Sequence, residues 1–194
     1  MRIKSVLRFS MLALMMTLSV STSAAERAKR PMSVFHAHAL GLEVWVEQQP
    51  AWTVTEFSEH GQSVLLASTP PHYYPPATLS YATLHLSRAR TAELAELARG
   101  MIDGAARRFG VQESGSIALT PARYNNIPGY EATFVGSAEG VRYDVKVFVG
   151  RQPGRSPIAL EAYTLEGKLP ALSEALRRAW SHVRYMEAEA RTID

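Results

Sequence analysis

Between Tyr130 and Gly150 the chain alternates with a period of two. Val141, Tyr143, Val145, Val147 and Val149 interleave with Arg142, Asp144, Lys146 and Phe148. A strand places the first set on one face, whereas a helix would scatter it around its circumference. Upstream, Tyr130, Ala132 and Phe134 offer a matching apolar face, and the small residues from Gly136 to Gly140 supply a turn between the two. The stretch reads as one β-hairpin, so the fold must be built on antiparallel sheet.

The amino terminus reads as a targeting segment. Arg2, Lys4 and Arg8 form a positive region, Phe9 to Val20 is an apolar run of about a dozen residues, and small residues follow up to Ala25. That run is shorter than the roughly 20 apolar residues needed to span a bilayer, so residues 1–25 are expected to be a signal peptide cut after Ala25. The three basic residues leave with it and no acidic ones do. The remaining chain then balances 18 basic against 18 acidic residues, and the alkaline isoelectric point belongs to the precursor. Charge therefore gives no ground for nucleic-acid or membrane-surface binding. The absence of cysteine excludes disulfides, thiol catalysis and a lipid anchor on cysteine. A periplasmic or secreted location is expected, with no transmembrane segment after cleavage.

Residues 26–33 are charged, contain Pro31 and lack periodicity, which predicts a flexible leader. A single domain is expected over residues 34–187, with a fraying tail at 188–194. Leu42, Val44 and Val46 alternate with Glu43, Trp45 and Glu47 in a first strand. Extended structure continues near Trp52 and Val54, and Ser63 to Ser68 suits a buried strand. Thr69 to Ala77 holds four of the eleven prolines and should sit outside the sheet as a stiff loop. Leu79 to Leu86 returns to strand. Thr91 is placed to cap a helix running to Phe109, with Leu94, Leu97, Ala98, Met101, Ile102, Ala105 and Phe109 on one stripe. Gly100 and Gly104 lie off that stripe. Ser116 to Thr120 is expected as a strand, Asn125 to Gly129 as a turn, and Ile158 to Leu165 as a last strand. A terminal amphipathic helix starts near Pro170 and buries Leu172, Leu176, Ala179, Val183 and Met186. Runs of consecutive strands separated by two helices indicate an α+β domain, a central antiparallel β-sheet flanked by two amphipathic helices.

In this order of elements, with Pro50-Ala51-Trp52 after the first strand, a helix opening after Thr91 and Asn126-Ile127-Pro128-Gly129 before the long hairpin, the chain resembles the PsbP-like superfamily, including bacterial envelope proteins of the DcrB type. The resemblance spans roughly Leu40 to Met186. It implies an α/β/α sandwich and action by binding proteins, and it brings no catalytic residues. DcrB-like proteins are usually lipoproteins, from which this chain departs.

Three groups of residues could carry chemistry. His72, Tyr73 and Tyr74, held between proline pairs, could present tyrosine rings to a partner at low entropic cost, or could fold back over the sheet. His36 and His38 share one side of a strand and could ligate a metal if His85, or the loop residues His60 or His72, supplied a third nitrogen. The charged side of the hairpin, Arg142, Asp144 and Lys146 with Glu131, could be a partner surface or a solvated face. No nucleophile elbow, phosphate loop or dinucleotide fingerprint is present. The resulting expectation is an exported, non-enzymatic protein that binds a protein or envelope component and needs no cofactor. A small periplasmic hydrolase or metal-dependent protein using His36 and His38 is the alternative.

Overall fold

The computed structural model describes residues 31–59, 62–84 and 93–187. The expected signal segment, residues 26–30 of the leader, His60, His85, Thr91 and the tail at 188–194 lie outside them. Among the described residues ten strands and two helices follow one another as β1 (Met32–Ala37), β2 (Leu42–Glu47), β3 (Thr53–Glu59), β4 (Gln62–Ser68), β5 (Ala77–Thr83), α1 (Leu94–Arg108), β6 (Thr120–Tyr124), β7 (Ile127–Ala138), β8 (Val141–Gly150), β9 (Ile158–Leu165), α2 (Leu169–Ser181) and β10 (Arg184–Tyr185). The fold is α+β, with an antiparallel seven-stranded sheet in the order β3-β4-β5-β9-β8-β7-β6 and two helices packed against it.

The valine-rich stretch forms β7 and β8 as the alternation predicts, paired from Gly129 with Gly150 to Ala138 with Val141. Its turn is tighter than expected. Glu139 and Gly140 alone make it, both at positive φ (51° and 78°), the two-residue geometry that matches the twist of the flanking strands. The β6–β7 turn is likewise only Asn125 and Asn126, so Pro128 and Gly129 belong to β7. Ser114–Ser116 is a short 3₁₀ turn and the strand starts at Thr120, later than the apolar pattern suggested. The domain begins earlier than expected, because β1 opens at Met32.

Alternation in β8 and β9 divides the core in two. Val145, Val147, Val149 and Ala159 face α1 and pack with Ala98, Ile102, Ala105, Ala106 and Phe109. Phe148, Ile158, Leu160 and Ala162 face the other way, toward Leu172, Leu176, Ala179 and Trp180 of α2. The helices therefore lie on opposite faces. The first strands do not join the central sheet. β2 pairs with β1 on one side and β10 on the other, and this small sheet shares the α2 face, contributing Leu42, Val44 and Val46 to the same core. Trp180, expected at the edge of the α2 stripe, lies fully buried at its centre. A ring of that size stabilises by about 2–3 kcal/mol or more through area removed from water.

Each helix is anchored by one residue of the hairpin. Asp144 Oδ2 accepts the Leu169 N–H at 2.9 Å and so caps the first turn of α2, where an anion also meets the positive end of the helix dipole. Gly136 of β7 seats the end of α1. A Cβ there would stand 2.5 Å from Phe109 Cβ and 2.6 Å from Phe109 O, and the neighbouring Ser137 N–H donates to that same carbonyl at 2.6 Å. By contrast, Cβ atoms added at Gly100 or Gly104 would meet nothing within 4 Å. Gly136→Ala should therefore destabilise the protein by about 2 kcal/mol through overpacking. Gly100→Ala and Gly104→Ala should each stabilise it by up to about 1 kcal/mol. Urea denaturation of the three variants checks both signs.

A cleft between the first helix and the uncovered strands

α1 lies over β7 and β8, where Phe109 contacts Tyr143 and Tyr163 with ring centroids 5.7 and 5.4 Å away. Among the described residues, the same face of β3, β4 and β5 has no helix over it. The result is a cleft of about 790 Å³. Its floor carries Phe57, Val64, Leu66 and Ala82, and Leu97 and Met101 form the helical wall. These last two are only partly buried because that edge of the α1 stripe looks into the cleft, while Ile102 and Ala105 are enclosed.

One ion pair lies in this apolar setting. Arg108, from the last turn of α1, bonds Glu161 of β9 through one guanidinium nitrogen. Glu161 is largely enclosed, and burial pushes its carboxyl above the usual carboxylate range even though Arg108 pulls the other way. Ser63 and Ser80 add hydroxyls at the lining. The arrangement can hold a mainly apolar molecule and orient one polar group, the usual composition of a ligand pocket. Sequence reasoning missed it. Val64 and Leu66 read as apolar residues of a buried strand, and nothing local says that the helix lies elsewhere.

The residues singled out from the sequence are distributed differently. Tyr73 turns inward. It is 4% exposed, its hydroxyl donates to Glu47 Oε2 at 3.1 Å, and its ring meets Trp52 edge-on at 5.5 Å. A turn inside its loop is closed by Tyr73 N–H to Pro70 O, and the loop is tied to the sheet by Ala77 N–H to Thr69 Oγ1 and Thr164 Oγ1 to Pro76 O. His72 is exposed and Tyr74 is 59% exposed, with Lys168 Nζ 5.7 Å from its ring centre. His36 and His38 stack with centroids 6.3 Å apart, and His36 Nε2 is 3.7 Å from Glu43 Oε1. Among the described residues no three His, Cys, Asp or Glu side chains gather closely enough to hold a metal ion. His85, the proposed third ligand, is outside those residues.

The charged side of the hairpin is engaged within the fold. Arg142 makes a two-pronged pair with Glu166 at 2.6 and 2.7 Å. Lys146 Nζ is 3.1 Å from Glu131 Oε1, and Tyr124 donates to Glu131 Oε2 at 2.7 Å. Burial and that carboxylate hold the Tyr124 hydroxyl protonated well beyond the ordinary tyrosine range.

Tyr73→Phe removes one hydrogen bond to the buried Glu47 carboxylate and should cost about 1–2 kcal/mol in urea denaturation. Tyr74→Ala, at an exposed position, should change stability by less than about 0.5 kcal/mol. For Glu161 the sign is set by its raised pKa. The folded state holds the proton more tightly than the unfolded chain, so stability falls as pH rises from the ordinary carboxylate value through the folded one. Glu161→Gln should remove that part of the slope, seen as a flatter dependence of unfolding free energy on pH above the ordinary carboxylate value.

No protein-family model matches the sequence, and no curated protein matches it. Among solved structures the chain is similar in fold to a protein of Bacteroides thetaiotaomicron VPI-5482, at 10% identity and a TM-score of 0.50, covering 79% of this chain and 48% of that one. The chain thus spans about half the length of that protein. It is also similar to PA94 of Pseudomonas aeruginosa, a protein of unknown function, at 12% identity and a TM-score of 0.50 over 81% of this chain and 99% of that one. LpqN of Mycobacterium tuberculosis, involved in cell envelope biogenesis, aligns at 12% identity and a TM-score of 0.46 over 87% and 97%. At such identities the likeness is one of fold.

Proposed function

We propose that this protein is an exported, non-enzymatic binding protein whose cleft holds an apolar or amphiphilic component of the envelope. The observation that carries the reading is the cleft itself, of about 790 Å³, floored by Phe57, Val64, Leu66 and Ala82 and walled by Leu97 and Met101. Its volume falls within the range of about 300–1,000 Å³ typical of small-molecule sites, and it has few polar groups. Arg108 and Glu161 would set the orientation of the bound molecule. Export rests on the signal-like residues 1–25. Among the described residues no helix is long and apolar enough to cross a membrane. The DcrB-type, PsbP-like resemblance of Pro50-Ala51-Trp52 and Asn126-Ile127-Pro128-Gly129 is part of the same reading, as is a protein partner meeting the outward residues His72 and Tyr74.

The hydrolase or metal-dependent alternative rests on His36 and His38, and no further observation adds to it. Titration with cis-parinaric acid, whose fluorescence rises on entering an apolar site, tests the proposal. Wild-type protein should bind it saturably, and Ala82→Trp, which fills the floor of the cleft, should weaken binding at least about tenfold, or 1.4 kcal/mol, with an unchanged circular dichroism spectrum. Equal binding by the folded variant would remove the cleft from the function.

A further inference from the structure

The central sheet has two outer strands, and they differ in how they are guarded. β6 is short and carries Pro121 and Arg123, a residue that cannot donate to a ladder and a charge that discourages pairing. β3 has neither proline, lysine nor arginine along Thr53–Glu59, and its outer side has no strand beside it among the described residues. From Thr55 to Ser58 its side chains are exposed, including Phe57 at 41%. Thr55 and Phe57 sit opposite Leu66 and Val64 of β4, on the face that carries the cleft, so the apolar floor runs to the very edge of the sheet. An edge of this kind is a template for another strand.

We propose that the occupant is a second copy of this chain, joined β3 to β3 about a two-fold axis into one continuous antiparallel sheet. Such an axis keeps each residue on its own face, so some residue of β3 must oppose itself. If Glu56 did, two carboxylates would face each other directly, which is unfavourable. With Phe57 on the axis, Phe57 meets Phe57 and Glu56 meets Ser58. Like charges are then kept apart and two exposed aromatic rings are paired where the two clefts meet. An overlap over residues 55–59 is smaller than the roughly 1,600 Å² of a standard interface, so the dimer is a weak one that forms at high protein concentration.

The absence of cysteine makes the register directly measurable. Paired Cα atoms in an antiparallel ladder lie about 4.5–5.5 Å apart, within reach of a disulfide. Sedimentation velocity over a concentration series into the hundreds of micromolar should show wild-type protein passing from monomer to dimer. Phe57→Asp should stay monomeric with an unchanged circular dichroism spectrum. Ala82→Trp should still dimerise, which separates this contact from ligand binding in the cleft. Under diamide oxidation, Phe57→Cys should cross-link far more completely than Arg123→Cys on the opposite edge. A wild-type protein that remains monomeric throughout the series, or equal cross-linking at the two positions, would overturn the proposal.

Discussion

A single helix about 10 Å across cannot cover a sheet of seven strands whose outer members lie roughly 29 Å apart. This mismatch of widths governs the rest of the molecule. On one face the width is met by two elements side by side, α2 and the small sheet of β1, β2 and β10, and the core there is continuous from Val44 through Leu65 and Leu160 to Trp180. On the other face α1 alone is present among the described residues, and it is pinned to one end because its last residues sit in the space left by Gly136. The uncovered end of that face is the cleft.

The same accounting explains where the charges went. A charged side chain on a strand covered on both faces needs a partner, since an unpaired buried charge costs more than a hydrogen bond returns. Asp144 is buried and is satisfied by the first N–H of α2. Lys146, Glu131 and Tyr124 satisfy one another beside the Phe148 and Trp180 rings. Residues that look from the sequence like a polar outer face are thus the fittings by which a second layer is attached. In the cleft, Arg108 and Glu161 are the corresponding pair, with no second layer above them among the described residues.

The elements were well marked in the sequence wherever a period was long and unbroken. Val141 to Val149, Leu42 to Val46, the α1 stripe and the proline-started α2 all carry their own signal. Boundaries at turns were less legible. Pro128 and Gly129 look like turn residues, yet they are drawn into β7 by pairing with Arg123 and Ala122. Tyr73 and Tyr74 are adjacent and chemically alike, and only the position of Trp52 and Glu47 in space separates an anchored ring from an outward one. The cleft had no signature at all, because Val64 and Leu66 read the same whether or not a helix lies above them.

What the amino-acid order determined by itself is the set of strands and helices, their apolar faces and hence an antiparallel α+β fold. These depend on side-chain periods along a few residues, which a sequence displays directly. Which strands share a sheet, which helix covers which strands, and so where a cleft and a free edge remain, were decided by tertiary packing. That choice depends on contacts between distant segments such as β5 with β9 and Gly136 with Phe109, whose fit is a matter of shape and is not written in either segment alone.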